Sequence, residues 1–143
     1  MKRRYCKLIW LLSIFVFATA CSTSKEPFDD RNIHFKVSET VTSDYEITKT
    51  IEVTNQTGYD LINTLLKLSY PLEKNTTKNE NSNSIQEISI ESGKTVAISI
   101  SVPIDDKNNI DSDNPNLEFS GYYIEGTKEV PFGIVGSLNV IVD

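Results

Sequence analysis

The sequence predicts an all-β fold, a single antiparallel β-sandwich of about seven short strands. Three observations carry this. Apolar and polar residues alternate with period two through most of the body, as they do in strands with one buried face. Turn residues recur at roughly ten-residue intervals. No unambiguous 3.6-residue apolar stripe runs long enough for a globular helix.

The first alternating run places Ile33, Phe35 and Val37 on one face, with His34 and Lys36 opposite. In the second, Tyr45, Ile47, Ile51 and Val53 form the apolar stripe. Glu46, Thr48, Thr50, Glu52 and Thr54 form its wet side, and Lys49 interrupts the stripe, which suggests an edge. Asn55-Gln56-Thr57-Gly58 then supplies turn residues. Residues 59–70, YDLINTLLKLSY, read two ways. Ile62, Leu66, Leu68 and Tyr70 fit a strand face, whereas Leu61, Leu65 and Leu68 fit a short helical stripe. The strand is preferred, and its apolar residues on both sides suggest a central position.

Residues 72–84 are polar and read as an exposed loop. Ile88 and Ile90 end the next strand, and Glu91-Ser92-Gly93-Lys94 leads into the alternating Val96, Ile98, Ile100 and Val102. That arrangement predicts a hairpin. Pro103 stops the second strand, because it cannot donate to a ladder. A polar loop, 105–116, precedes Leu117 and Phe119, which share a face. Gly121 is expected to shift the register before Tyr122 and Tyr123, so either tyrosine could be the buried one. Val130, Phe132 and Ile134, then Leu138, Val140 and Val142, close the chain as strand. Gly133 and Gly136 mark an expected bend or bulge between them.

The front of the chain is different. Residues 1–7 carry Lys2, Arg3, Arg4 and Lys7 and no acid, and Leu8 to Ala18 are 11 residues without charge. A membrane-spanning helix needs about 20. The proportions are those of a secretory signal peptide. Ala18, Thr19 and Ala20 then lead directly into Cys21. This resembles the lipobox of bacterial lipoproteins. The resemblance implies cleavage after Ala20, a diacylglycerol on the Cys21 thiol with fatty chains such as palmitate, and a partner in the membrane itself. Residues 1–20 are then the signal peptide, 21–31 a lipidated tether in which Phe28 is left loose, and 32–143 the domain. A tether of about ten residues could extend some 33–36 Å.

Removing the signal takes away four of the 14 basic residues and none of the 20 acidic ones, so the net charge falls from −6 to −10. Such a surface repels phosphate backbones, and no nucleic-acid partner is expected. Cys6, Trp10 and Met1 leave with the signal. The remaining cysteine, Cys21, is the acylated one, so no internal disulfide is available.

"IEVTNQTGYDLINTLLKLSYPL" followed by "ISIESGKTVAISISVP" resembles small immunoglobulin-like or fibronectin-like extracellular domains, among them the FxLYD-type domains of Gram-positive lipoproteins. In these a strand ends in Asn-x-(Ser/Thr)-Gly. Leu66 to Tyr70 only approximates the Phe-x-Leu-Tyr-Asp motif. The resemblance implies an immunoglobulin-like sandwich and leaves function open.

Chemistry is sparse. His34 is the single histidine, so a zinc or copper site is not expected. Asp105, Asp106, Asp111, Asp113 and Glu118 offer oxygen to calcium, but Asn116 and Tyr122 stand where an EF-hand needs glycine and a carboxylate. No Gly-x-Ser-x-Gly occurs, and the Ser-x-x-Lys string at 22–25 lies in the tether. No enzyme activity, metal or cofactor is expected. The expectation is a membrane-anchored extracytoplasmic lipoprotein with a binding or accessory role at the cell surface, docking a protein partner in the envelope. Tyr122 and Tyr123 are the candidate surface contacts. The alternatives are a ligand module for wall glycan or calcium and an immunity-type lipoprotein.

Overall fold

Seven strands form two antiparallel sheets in a computed structural model of the chain, which describes residues 25–72, 80–104 and 112–141. In order they are β1 (Ile33–Thr42), β2 (Glu46–Asn55), β3 (Leu61–Pro71), β4 (Glu80–Ile90), β5 (Thr95–Pro103), β6 (Asn116–Glu125) and β7 (Lys128–Ser137). A 3₁₀ turn, Asp30–Asn32, precedes β1, and a short helix, α1 (Leu138–Ile141), follows β7. One sheet has the order β1-β2-β5 and the other β4-β3-β6-β7. The fold is the expected antiparallel β-sandwich of seven strands, with its fourth strand in the sheet of the third.

The period-two residues meet between the sheets. Phe35, Ile51, Val53, Ile98 and Ile100 from one face Leu66, Leu68, Tyr70, Leu117 and Phe119 from the other, all buried. Phe35 and Phe119 meet edge to face at 5.5 Å. Burying a side chain of this size contributes about 1.5–3 kcal/mol, and with no cysteine among the described residues this packing holds the domain. On the outer face of the first sheet, hydroxyls pair across β2 and β5: Thr48 with Ser101, Thr50 with Ser99, Thr54 with Thr95.

The turn at 91–94 is not a hairpin. Its two strands lie in different sheets, and Asn55, fully buried at the end of β2, explains why. Its backbone N–H donates to the Lys94 carbonyl at 2.9 Å, and its own carbonyl accepts from Gly93 N–H at 2.7 Å. The chain leaving Gly93 is thereby captured by β2 and continues as β5. The Asn55 side-chain amide donates to the carbonyls of Tyr59 (2.7 Å) and Ile90 (2.9 Å). Its Oδ1 accepts from the Thr57 N–H and hydroxyl. One side chain thus holds both crossovers at this end of the sandwich.

Other expectations need correction. Residues 80–84 belong to β4, where a polar loop was expected; Asn83 of that segment donates to the Ser101 carbonyl and closes the β4–β5 side. Ile62 is not on the buried face of β3, because a bulge between Ile62 and Leu65 changes the phase and Leu61 points inward instead. Lys49 lies on β2, the central strand of its sheet, not an edge strand. Tyr45 is 81% exposed in the β1–β2 turn rather than buried in a stripe. The β6–β7 register runs unbroken through Gly121, Gly133 and Gly136. Residues 138–141 form α1 because the chain turns there: Leu138 N–H donates to the Pro115 carbonyl, and Leu138 and Ile141, one turn apart, both pack on the core.

Asn55→Ala strands several buried polar groups at once and is expected to lower stability by about 3 kcal/mol or more in a denaturant titration. A second test concerns Tyr70, which is fully buried and whose hydroxyl has no hydrogen-bond partner among the described residues. Burial pushes that hydroxyl up to about 12, well above the usual range of a phenol. Its folded value is raised, so the stability it contributes is complete below pH 10 and is lost as pH climbs towards 12. Stability is expected to fall by roughly 2 kcal/mol over that interval. Tyr70→Phe should flatten the fall and match or exceed the native stability at pH 7.

Candidate functional site

Strand ends define two ends of the sandwich. The N-terminal segment meets the end that also carries the 56–60 and 91–94 crossovers. Phe28 is not loose there. Its ring stacks on Tyr123 at 3.9 Å with the planes 2° apart. It also meets Tyr59 edge-on at 6.0 Å and Phe132 at 5.6 Å. The Tyr59 hydroxyl donates to the Glu26 carbonyl at 2.8 Å, and the Lys25 ammonium sits 3.6 Å from the Tyr59 ring centre. Burial pushes the Tyr59 hydroxyl up, and the Glu125 carboxylate and Tyr123 add to the shift. Asp29 then caps the 3₁₀ turn, accepting from the Arg31 N–H and guanidinium. Those bonds hold the Asp29 carboxyl below the usual carboxylate range. Packed structure therefore reaches back to Lys25, four residues after Cys21.

The two candidate tyrosines separate. Tyr123 turns inward and forms the floor under Phe28, so it belongs to this seat rather than to a free surface. Tyr122 turns outward and is 40% exposed. It pairs in register with Ile62 on β3 and Pro131 on β7.

Around Tyr122 the outer face of the four-stranded sheet is recessed, for a reason in the backbone. β3 carries one extra residue near Asn63, and β4 carries one near Glu87 that restores the register. Both residues have positive φ, 48° and 62°, a conformation that costs a non-glycine residue about 1 kcal/mol or more. The β3 bulge crowds β6. A Cβ on Gly121 would lie 2.9 Å from the Thr64 methyl and 3.0 Å from its Cα, so only glycine fits there. Two open recesses result. One, about 430 Å³, is lined by Asn63, Leu65, Gln86 and Glu87. The other, about 260 Å³, is lined by Asn63, Leu65, Ser120, Tyr122 and Pro131. They share Asn63 and Leu65, so the recesses lie on either side of these β3 residues as a two-part groove.

A third recess, about 460 Å³, opens between the β1 and β7 edges over Ile33, Phe35, Ile134 and Ile141. Its lining is mixed, with Asp30, Arg31 and His34 beside the apolar residues. His34 is half-buried and has an interaction partner.

Cys21, Asp105, Asp106 and Asp111 lie outside the described residues. Of the calcium candidates within them, Glu118 lies on β6, and the Asp113 backbone carbonyl and Asn114 Oδ1 already accept from Asn139. Among the described residues no three His, Cys, Asp or Glu side chains cluster as metal ligands, and no helix is long and apolar enough to cross a membrane. Sequence reasoning missed the groove because its cause is a pair of bulges. The signal available was Asn63, a residue tolerant of positive φ, breaking an apolar alternation.

No family model, curated protein or solved structure matches the chain.

Phe28→Ala is expected to cost about 2 kcal/mol, less than a fully buried phenylalanine. Trypsin should then cut faster after Lys25 and Arg31, as N-terminal sequencing of the products would show, while Phe28→Tyr stays close to the native rate.

Proposed function

We propose that this protein is an extracytoplasmic lipoprotein, fixed to the cell membrane through Cys21, that performs a non-enzymatic binding or accessory role at the cell surface. The observation that carries the reading is the order of the first 21 residues: a start with four cations, the uncharged run Leu8–Phe17, the small triplet Ala18-Thr19-Ala20, then Cys21. Chemistry supports it. One acyl chain holds a protein only marginally, at about 0.8 kcal/mol per buried methylene, and two chains on one sulfur make release slow. The packing of Lys25 and Phe28 agrees with a short link. The four steps from Cys21 to Lys25 span at most about 14 Å, so the end bearing Tyr59 and Phe28 is the end nearest the bilayer. The far end then presents Tyr45, Val41 and the 112–115 segment to the envelope.

A second reading, a module that binds a ligand of the wall, is favoured by the groove beside Tyr122.

The test of anchoring is chemical. Intact mass of the native protein should show an N-terminal Cys21 carrying a diacylglycerol, and Cys21→Ser should leave the membrane fraction. A Cys21→Ser protein that is still cut after Ala20 and stays membrane-bound would overturn the reading. Affinity capture from the envelope, with partners identified by mass, addresses the accessory role.

A further inference from the structure

We propose that the groove across the outer face of the four-stranded sheet binds an uncharged glycan strand, with the Tyr122 ring as its stacking platform. This gives the binding role a ligand class, and rests on that reading only for where the ligand would be met.

The lining argues for sugar. A pyranose ring has an apolar C–H face and a rim of hydroxyls that both donate and accept. Tyr122 supplies a flat, part-exposed aromatic face, with Leu65 and Pro131 beside it as apolar contacts. Asn63 and Gln86 supply amides that donate and accept, and Glu87 supplies a carboxylate that accepts. All three side chains are exposed and have no partner among the described residues, so their hydrogen-bonding capacity is unspent. The two recesses are open and lie on either side of Asn63 and Leu65, which suits successive units of a chain rather than an enclosed small molecule.

Charge narrows the choice. No lysine or arginine lines either recess, and the chain carries net charge −6 even with its basic front. A phosphate-bearing or uronate polymer would meet Glu87 with no cation to offset it. The two positive-φ residues point the same way. Asn63 lines both recesses and Glu87 one of them, each in a costly positive-φ conformation, and such strain collects at binding sites.

The experiment uses the full chain in mild detergent, so that anchoring and glycan binding are read separately. It is titrated calorimetrically with an N-acetylated hexasaccharide of chitin type and with an unacetylated glucan hexasaccharide. It is also sedimented with bacterial wall stripped of its anionic polymers. Binding to at least one of these is expected, and the two oligosaccharides identify which sugar is taken. Tyr122→Ala should weaken binding about tenfold, Tyr122→Phe should retain it, and both should unfold at the native temperature because the ring faces out. Absence of binding to all three probes would overturn the proposal. So would binding that Tyr122→Ala leaves unchanged, or binding only to wall that keeps its anionic polymers. None of these results bears on the lipid at Cys21.

Discussion

Asn55 is the constraint on which the rest of this structure depends. A sandwich must send its chain from one sheet to the other, and each passage exposes backbone groups that neither ladder can satisfy. Here two passages, 56–60 and 91–94, meet at the same end, and one buried amide serves both. It holds the Tyr59 carbonyl in the first and the Ile90 carbonyl before the second. Its own backbone extends the β2–β5 ladder by one more pair. A hydrophobic residue of similar size would pack as well and leave those groups unsatisfied. The passage of the chain from β4 to β5 is thus held at one residue, whose backbone takes the chain at Gly93 and Lys94 and whose side chain holds the Ile90 carbonyl. The same anchoring places Tyr59, whose hydroxyl then fastens Glu26 and whose ring borders the Phe28 seat.

The groove follows from a second constraint that is local to β3 and β4. Each strand carries one residue too many, and the two excesses cancel. Beyond the bulges the β3–β4 register is restored, with Leu66, Leu68 and Tyr70 all inward, while β3 stays shifted by one residue against β6 and the outer face is broken. Gly121 records the cost on the neighbouring strand, since β3 comes too close there for any side chain. Thr64, turned inward by the bulge, is fully buried and spends its hydroxyl on the Ile88 carbonyl. The device disturbs one surface and leaves the packing intact, and bulges are commonly kept for such local re-aiming.

These two constraints also mark what a one-dimensional pattern can and cannot convey. Period two reveals strands wherever one face is buried, so β1, β2 and β5 are legible in Phe35, Ile51 and Ile98 and their neighbours. It fails at 80–84, where a strand of Asn and Ser pairs at the sheet edge without an apolar stripe. It also fails at Ile62, because a bulge inverts inside and outside for every residue beyond it. The turn at 91–94 was visible as a turn, but its geometry depends on a residue some 40 positions earlier. Tyr122 and Tyr123 were legible as a pair with one ring out. Which one depended on β3, not on the glycine beside them. Phe28 could not be seated from the sequence for a different reason: its partners Tyr59, Tyr123 and Phe132 come from one loop and two strands far along the chain.

The position of Phe28 bears on how the groove could be used. Strands of about ten residues give the sandwich a length near 33 Å, and Tyr122 pairs with Ile62, the second residue of β3. The groove therefore lies close to the end that Phe28 and Lys25 hold. With the anchor at Cys21, as proposed, the strands stand away from the membrane and a channel crossing them runs along it. A flexible ten-residue tether would let that channel take any direction and would leave a ligand to compete with rotational freedom. Aromatic stacking of the segment four to seven residues past the anchor removes much of that freedom before any ligand arrives. Binding to a polymer that itself lies parallel to the surface then costs less ordering. The seat of Phe28 and the recesses beside Tyr122, set by adjacent tyrosines on opposite faces of β6, would on these proposals act on the same free energy.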